Sequence, residues 1–155
     1  MAVGNVILYD GATELFKSSS RQWDDPATGN IMFILANHTY TPNISHATVA
    51  NVSYYIPSGD GAPINATSLA MNTQTGVNAG DIYCTSDAAN FGSSVTITAK
   101  YLICVQPVTA GTLASTSKLI FYVDLDTTSS STDVSTTAGQ FTIIPSASGW
   151  FKIDK

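Results

Sequence analysis

The chain of 155 residues carries an ordinary apolar fraction of 44%, but its charged fraction of 11% is less than half of the roughly one quarter usual in soluble domains. Ser, Thr, Asn and Gly fill the gap, and the net charge is −5. The six cations, Lys17, Arg21, Lys100, Lys118, Lys152 and Lys155, are scattered, so no basic stripe exists to displace phosphate counterions and no nucleic-acid partner is expected.

A chain of this length closes one core without staples, which predicts a single domain over 1–155. No stretch approaches the length of a membrane span, and MAVGNVILYDG lacks a cationic region ahead of an apolar run. The expectation is a protein soluble as made, with no visible export signal and no membrane partner.

In chain order, NVILYDGATELFKSSSRQW sets Ile7, Leu8, Gly11, Ala12, Leu15 and Phe16 at spacings of three and four, which predicts a short amphipathic helix. DDPATGN reads as a turn, with Asp24 and Asp25 opening it. NIMFILA, continuously apolar and bounded by turn signals, predicts a strand covered on both sides. Beyond residue 49 the pattern is almost wholly β: VANVSYYIP, a thin strand in INATSLAMNTQTG, then DIYCTS, SVTITAKYLICVQPV, KLIFYVDLD and QFTIIP.

The strongest of these is 94–106, where alternation puts Val95, Ile97, Ala99, Tyr101, Ile103 and Val105 on one face and Leu102 with Cys104 on the other. The tract 127–140, TTSSSTDVSTTAGQ, is polar and of low complexity, and is expected to add nothing to a core. The sum is a mainly β domain, a β-sandwich or small barrel of about six to seven strands with one short N-terminal helix. Trp23 is assigned to the core under that helix.

Chemistry is sparse. There is no G-x-S-x-G elbow, no Walker loop and no cysteine in a catalytic motif. Cys84 and Cys104 read as small buried hydrophobes, not a disulfide framework. Four Asn-x-Ser/Thr sequons, at Asn37, Asn43, Asn51 and Asn65, follow from a Ser/Thr-rich composition.

Asp124 and Asp126, two apart at a strand end, point the same way as a Ca²⁺ site or glycosidase pair would require, but with no third ligand nearby in sequence and no EF-hand loop they are read as ending the strand and keeping a sheet edge soluble. Both histidines lie in ANHTYTPNISHATV. His38 and His46, eight apart across Pro42, match no zinc-ligand spacing, and the segment reads as a turn at Tyr40–Asn43 followed by a helical piece, SHATVANV, capped by Asn43 or Ser45. His46 is then a hydrogen-bonding side chain near that cap. No catalytic residue, metal or cofactor is expected.

Several features occur together: the leading amphipathic segment, Trp23 before IMFILA, then YTPN with His46. Farther on come the alternating strand, a small-residue loop and a strand ending in Asp (ITAKYLICVQPVTAGTLASTSKLIFYVDL), then Phe141-Thr142-Ile143 and Gly149-Trp150-Phe151. In these, over nearly its whole length, the chain resembles a group of small virion proteins of tailed bacteriophages, the head decoration or cement proteins. It departs from their pattern over 54–92 and in the Ser/Thr-rich loop at 127–138.

The resemblance implies a structural protein without catalysis, sited on the outer capsid surface of the virion. Its implied partners are the major capsid protein and further copies of itself, a trimer being favoured. A charge-poor, hydroxyl-rich surface suits such burial against protein. Contacts are expected from aromatics on a polar background, Tyr54, Tyr55, Trp150 and Phe151. A tail, adaptor or fibre-base subunit would share this composition. A carbohydrate-binding or hydrolytic β-sandwich would instead employ Asp124, Asp126 or the two histidines.

Overall fold

A strand without a polar side chain has to be covered on both faces, and the fold is organised around such a strand. The computed structural model describes residues 6–13, 23, 30–53, 55–73, 81–126 and 132–153. In chain order its strands are β1 (Val6–Leu8), β2 (Met32–Ala36), β3 (Ile64–Asn65), β4 (Ala70–Thr73), β5 (Ile82–Thr85), β6 (Ala89–Asn90), β7 (Val95–Ala99), β8 (Tyr101–Gln106), β9 (Lys118–Asp124), β10 (Val134–Gly139), β11 (Thr142–Ile143) and β12 (Phe151–Ile153). Every pairing is antiparallel.

The central sheet runs β1-β9-β8-β2-β3, and three small sheets, β10-β7, β11-β6 and β12-β5-β4, oppose it. Among the described residues the protein is mainly β and sandwich-like, with no closed barrel. The strands are more numerous and shorter than the sequence suggests, because bends divide the longer apolar segments.

β2 is as expected: none of its five residues exceeds 5% exposure. Its alternation feeds two separate cores. Phe33 and Leu35, with the preceding Ile31, join the larger core between the layers, whereas Met32, Ile34 and Ala36 join a second core on the outer face. The larger core is aromatic. Trp23, fully buried as expected, meets Phe151 edge-on at 5.5 Å between ring centroids, and Trp150 lies 5.1 Å from Phe33 and 5.7 Å from Phe121. The Trp23 indole N–H donates to the Thr85 carbonyl at 2.9 Å, so this buried donor is satisfied. The second core holds Tyr9, Tyr40, Val49, Val52, Ile103, Val105 and Leu119, with Tyr55, Tyr101, Leu113 and Tyr122 packed around it.

Four expectations change. The N-terminal segment is not a helix where it is described: Val6–Leu8 pairs with Val123–Phe121 of β9, and Asp10–Thr13 forms one 3-10 turn. Pairing with β9 outweighs the three-and-four spacing, and Gly11 lets the turn approach, since a Cβ there would meet the Leu119 carbonyl oxygen at 3.0 Å. Residues 14–22 of the predicted helix lie outside the described residues, as do Asp24 and Asp25.

Second, the strand 94–106 breaks at Lys100. β7 belongs to the opposing layer and β8 to the central sheet. The bend shifts the alternation by one, so Ile97, Ala99, Leu102 and Cys104 face the larger core together, and Ile103 and Val105 face the second.

Third, part of the polar tract is structural. Val134–Gly139 pairs with β7, Val134 packs on the larger core, and Ala138 takes up the irregularity with φ 47°. Threonines with one valine suit a half-exposed strand laid on a partner. Fourth, VANVSYYIP contributes a 3-10 turn at Val49–Asn51 and a single bridge from Tyr55 to Ala36 instead of a strand. The Asn51 side-chain oxygen accepts the N–H groups of Ala47 and Thr48, both at 3.1 Å, so Asn51 organises this turn. Asn43 instead closes its own turn by accepting from Ser45.

Candidate functional site

One end of the central sheet is β1, whose outer edge has no strand beside it among the described residues. Tyr9 N–H donates to the Ile120 carbonyl at 2.9 Å. Bonded and non-bonded pairs alternate along an antiparallel ladder, so Ile7 exchanges bonds with Tyr122, and the backbone groups of Val6 and Leu8 point to the open side. Ile7 and Leu8 are 40% and 43% exposed. Edge strands are ordinarily blunted by shortness, a lysine, a proline or a bulge; Val6–Leu8 has only its three-residue length and none of the others.

Beside this edge runs an open groove of about 600 Å³. Val6 and Leu8 form one wall; Trp150, Phe151 and Lys152, the last two on the edge strand β12, form the other. The second wall is set by Gly149, at φ 80°. A Cβ there would collide with the Cys84 carbonyl oxygen, the same oxygen that accepts the Trp150 N–H at 2.9 Å. Lys152 Nζ lies 3.4 Å from Asp81 Oδ2, which holds the strand end in place.

The predicted contact aromatics separate. Trp150 is a core residue, 4% exposed, whose indole N–H donates to Ser86 Oγ at 2.7 Å; it is not the surface anchor the sequence suggests, because the tight turn at Gly149 directs it between the layers. Phe151 is half-buried on the groove wall, and Tyr55 is half-buried against the second core. Tyr54 lies outside the described residues.

The histidines do not meet. His38 is clasped by Asp133, whose carboxylate accepts the His38 backbone N–H and contacts Nδ1, each at 2.6 Å, tying the turn after β2 to the start of β10. His46 ends a chain of three polar groups: Tyr9 and Tyr40 hydroxyls are 2.9 Å apart, and the Tyr40 hydroxyl is 2.9 Å from His46 Nδ1. Tyr9 and Tyr40 are 2% and 1% exposed. Burial pushes both phenols above their ordinary pKa, so both stay protonated and each hydroxyl keeps a hydrogen to share along the Tyr9–Tyr40–His46 chain. This chain pins loop 37–48 over the second core.

Family models, curated proteins and solved structures offer no match to this chain.

Asp124 and Asp126 are not at a sheet edge, since β9 lies between β1 and β8. They face Lys100, whose Nζ is 3.3 Å from Asp124 Oδ2 and 3.9 Å from Asp126 Oδ2. The lysine side chain is 7% exposed and that of Asp126 6%, and the ammonium sits 5.6 Å from the Tyr101 ring centroid. The signal for this cluster is present in VTITAKYLICVQ: a lysine interrupting an alternating strand marks the point where the chain leaves one layer for the other. β1 and the Tyr9 hydroxyl escape sequence reading because both depend on pairing with residues far along the chain.

Cys84 and Cys104 are both wholly buried. Burial, reinforced by the neighbouring Cys84, raises the Cys104 thiol well above its ordinary value, which leaves it inert as a nucleophile. Among the described residues no three His, Cys, Asp or Glu side chains are grouped to hold a metal ion, and no helix is long and apolar enough to cross a membrane.

Proposed function

We propose that this protein is a bacteriophage capsid decoration subunit, one that binds the outer surface of the head beside the major capsid protein, associates with copies of itself, and stabilises the shell by contact and not by catalysis. The observation that carries this reading is the outer edge of β1, which has no strand beside it among the described residues. Its exposed Ile7 and Leu8, outward backbone groups and adjoining groove make a surface that is stable when other protein covers it. The charge-poor surface supports the same reading, because hydroxyls and amides are more cheaply desolvated than ions. Many copies on a closed lattice turn a modest contact into a large resistance to rupture.

Cryo-electron microscopy of purified particles tests the proposal. Density for the chain at repeated positions on the outer head surface is the expected result. Density at the tail or portal vertex, or absence of the chain from particles, overturns it.

A further inference from the structure

Lysine ammonium and aspartate carboxylate groups are usually content as an ion pair in water. Lys100 and Asp126 are placed where that pair is expensive. Both side chains are at least nine-tenths buried, they come from neighbouring strand ends, and a second carboxylate stands on the same amine. The backbone around them is fixed: Lys100 N–H donates to the Ala36 carbonyl and Leu125 N–H to the Lys100 carbonyl, both at 2.8 Å. Asp124 is fixed as well, its Oδ1 accepting the Asp126 N–H at 3.0 Å while Oδ2 faces Lys100.

From this geometry we propose that Lys100 and Asp126 are a covalent modification site, condensing within the folded chain to an isopeptide bond between Lys100 Nζ and Asp126 Cγ, with Asp124 as the proton carrier. Asp124 Oδ2, the nearer carboxylate oxygen, takes one proton from the ammonium. The freed amine lone pair attacks Asp126 Cγ as Asp124 hands that proton to the Asp126 oxygen. The nitrogen then gives up a second proton, again through Asp124, and one Cγ–O bond breaks. One N–C bond is formed, one water leaves, and Asp124 is returned as carboxylate.

Asp126 is the acyl partner because its carboxylate is shielded from solvent, whereas Asp124, with 42% of its side chain exposed, is placed to exchange protons with water and let the product water out. Two effects favour the reaction. Holding amine and carboxyl side by side gives a high effective concentration, and a neutral amide removes the desolvation penalty of a buried ion pair. The product would link the end of β9 to the junction of β7 and β8, whatever surface the protein binds.

Intact-mass measurement of the purified full chain, unfolded in denaturant, decides the matter. The expected mass is one water below that of the sequence with its observed N-terminus, and proteolysis should release one branched peptide joining Lys100 to Asp126. Lys100→Arg should restore the full mass. Asp126→Asn should still link, now losing ammonia, and Asp124→Ala should slow or abolish the loss. The full sequence mass after prolonged incubation of folded protein overturns the proposal, as does a water loss mapped to any other pair, Lys100 with Asp124 included. The wild-type measurement suffices even if a variant fails to fold.

Discussion

Replacing Tyr40 by Phe removes one oxygen from the middle of the Tyr9–Tyr40–His46 chain and leaves the ring packing intact. Its cost follows from what each neighbour can do next. Tyr9 is 2% exposed and Tyr40 is its hydroxyl partner at 2.9 Å, so its O–H is stranded; a buried unsatisfied donor costs about 1–3 kcal/mol. His46 is only partly buried and turns to water, adding about 0.5 kcal/mol. The expected total is about 2 kcal/mol, which at a urea slope of about 2 kcal/mol/M lowers the unfolding midpoint by about 1 M.

Tyr9→Phe alone should cost about 1 kcal/mol, since Tyr40 keeps His46. The double variant is the sharper measurement: with both hydroxyls gone no donor is stranded, and its cost should fall below the sum of the two singles. A Tyr40→Phe midpoint indistinguishable from wild type, or strict additivity in the double, refutes the reasoning.

Alkali should unfold the protein progressively. Cys104, Tyr9 and Tyr40 all have pKa values raised by burial, so the native state keeps protons that the unfolded chain releases. Their contribution is whole below the unfolded values, about 8.5 for the thiol and 10 for the phenols. It is lost at about 1.4 kcal/mol per pH unit per group as pH rises past them. Urea midpoints that stay flat from about pH 8 to 11 contradict this. Leu8→Lys should leave stability within about 0.5 kcal/mol, because Leu8 is 43% exposed, while weakening co-sedimentation with capsids at least tenfold; unchanged capsid binding counts against β1 as the contact. Gly149→Ala should destabilise by more than about 1 kcal/mol, through its positive φ and the collision with the Cys84 carbonyl oxygen, and should expose Trp150 to a fluorescence quencher; a native-like quenching profile would refute that role.

What the sequence disclosed and what it concealed divide by range. IMFILA could be recognised as a doubly covered strand because the evidence is contained in five adjacent side chains. Trp23 followed from size and apolarity alone. The N-terminal strand was hidden because Val6–Leu8 carries no preference strong enough to reveal that β9, over a hundred residues later, would supply its hydrogen bonds. Alternation across 94–106 held within each half and failed at Lys100, whose ammonium faces Asp124 at the end of β9 and Asp126 just beyond it. The histidine loop was read as a turn at Tyr40–Asn43 with His46 hydrogen-bonded; the hydrogen bond is there, but the turns fall on either side, closed by Tyr40 N–H to the Asn37 carbonyl and His46 N–H to the Asn43 carbonyl, and the partners of His46, Tyr40 and beyond it Tyr9, required the fold. Trp150 and Phe151, adjacent near the C-terminus, left open which of the two faces out; the left-handed turn at Gly149 folds Trp150 inward and leaves Phe151 on the groove wall.

The crossing at Lys100 bears on how such a body responds to force. β7 and β8 are successive pieces of one backbone lying in different layers. Tension that tries to slide one layer over the other is therefore carried at that point through covalent bonds.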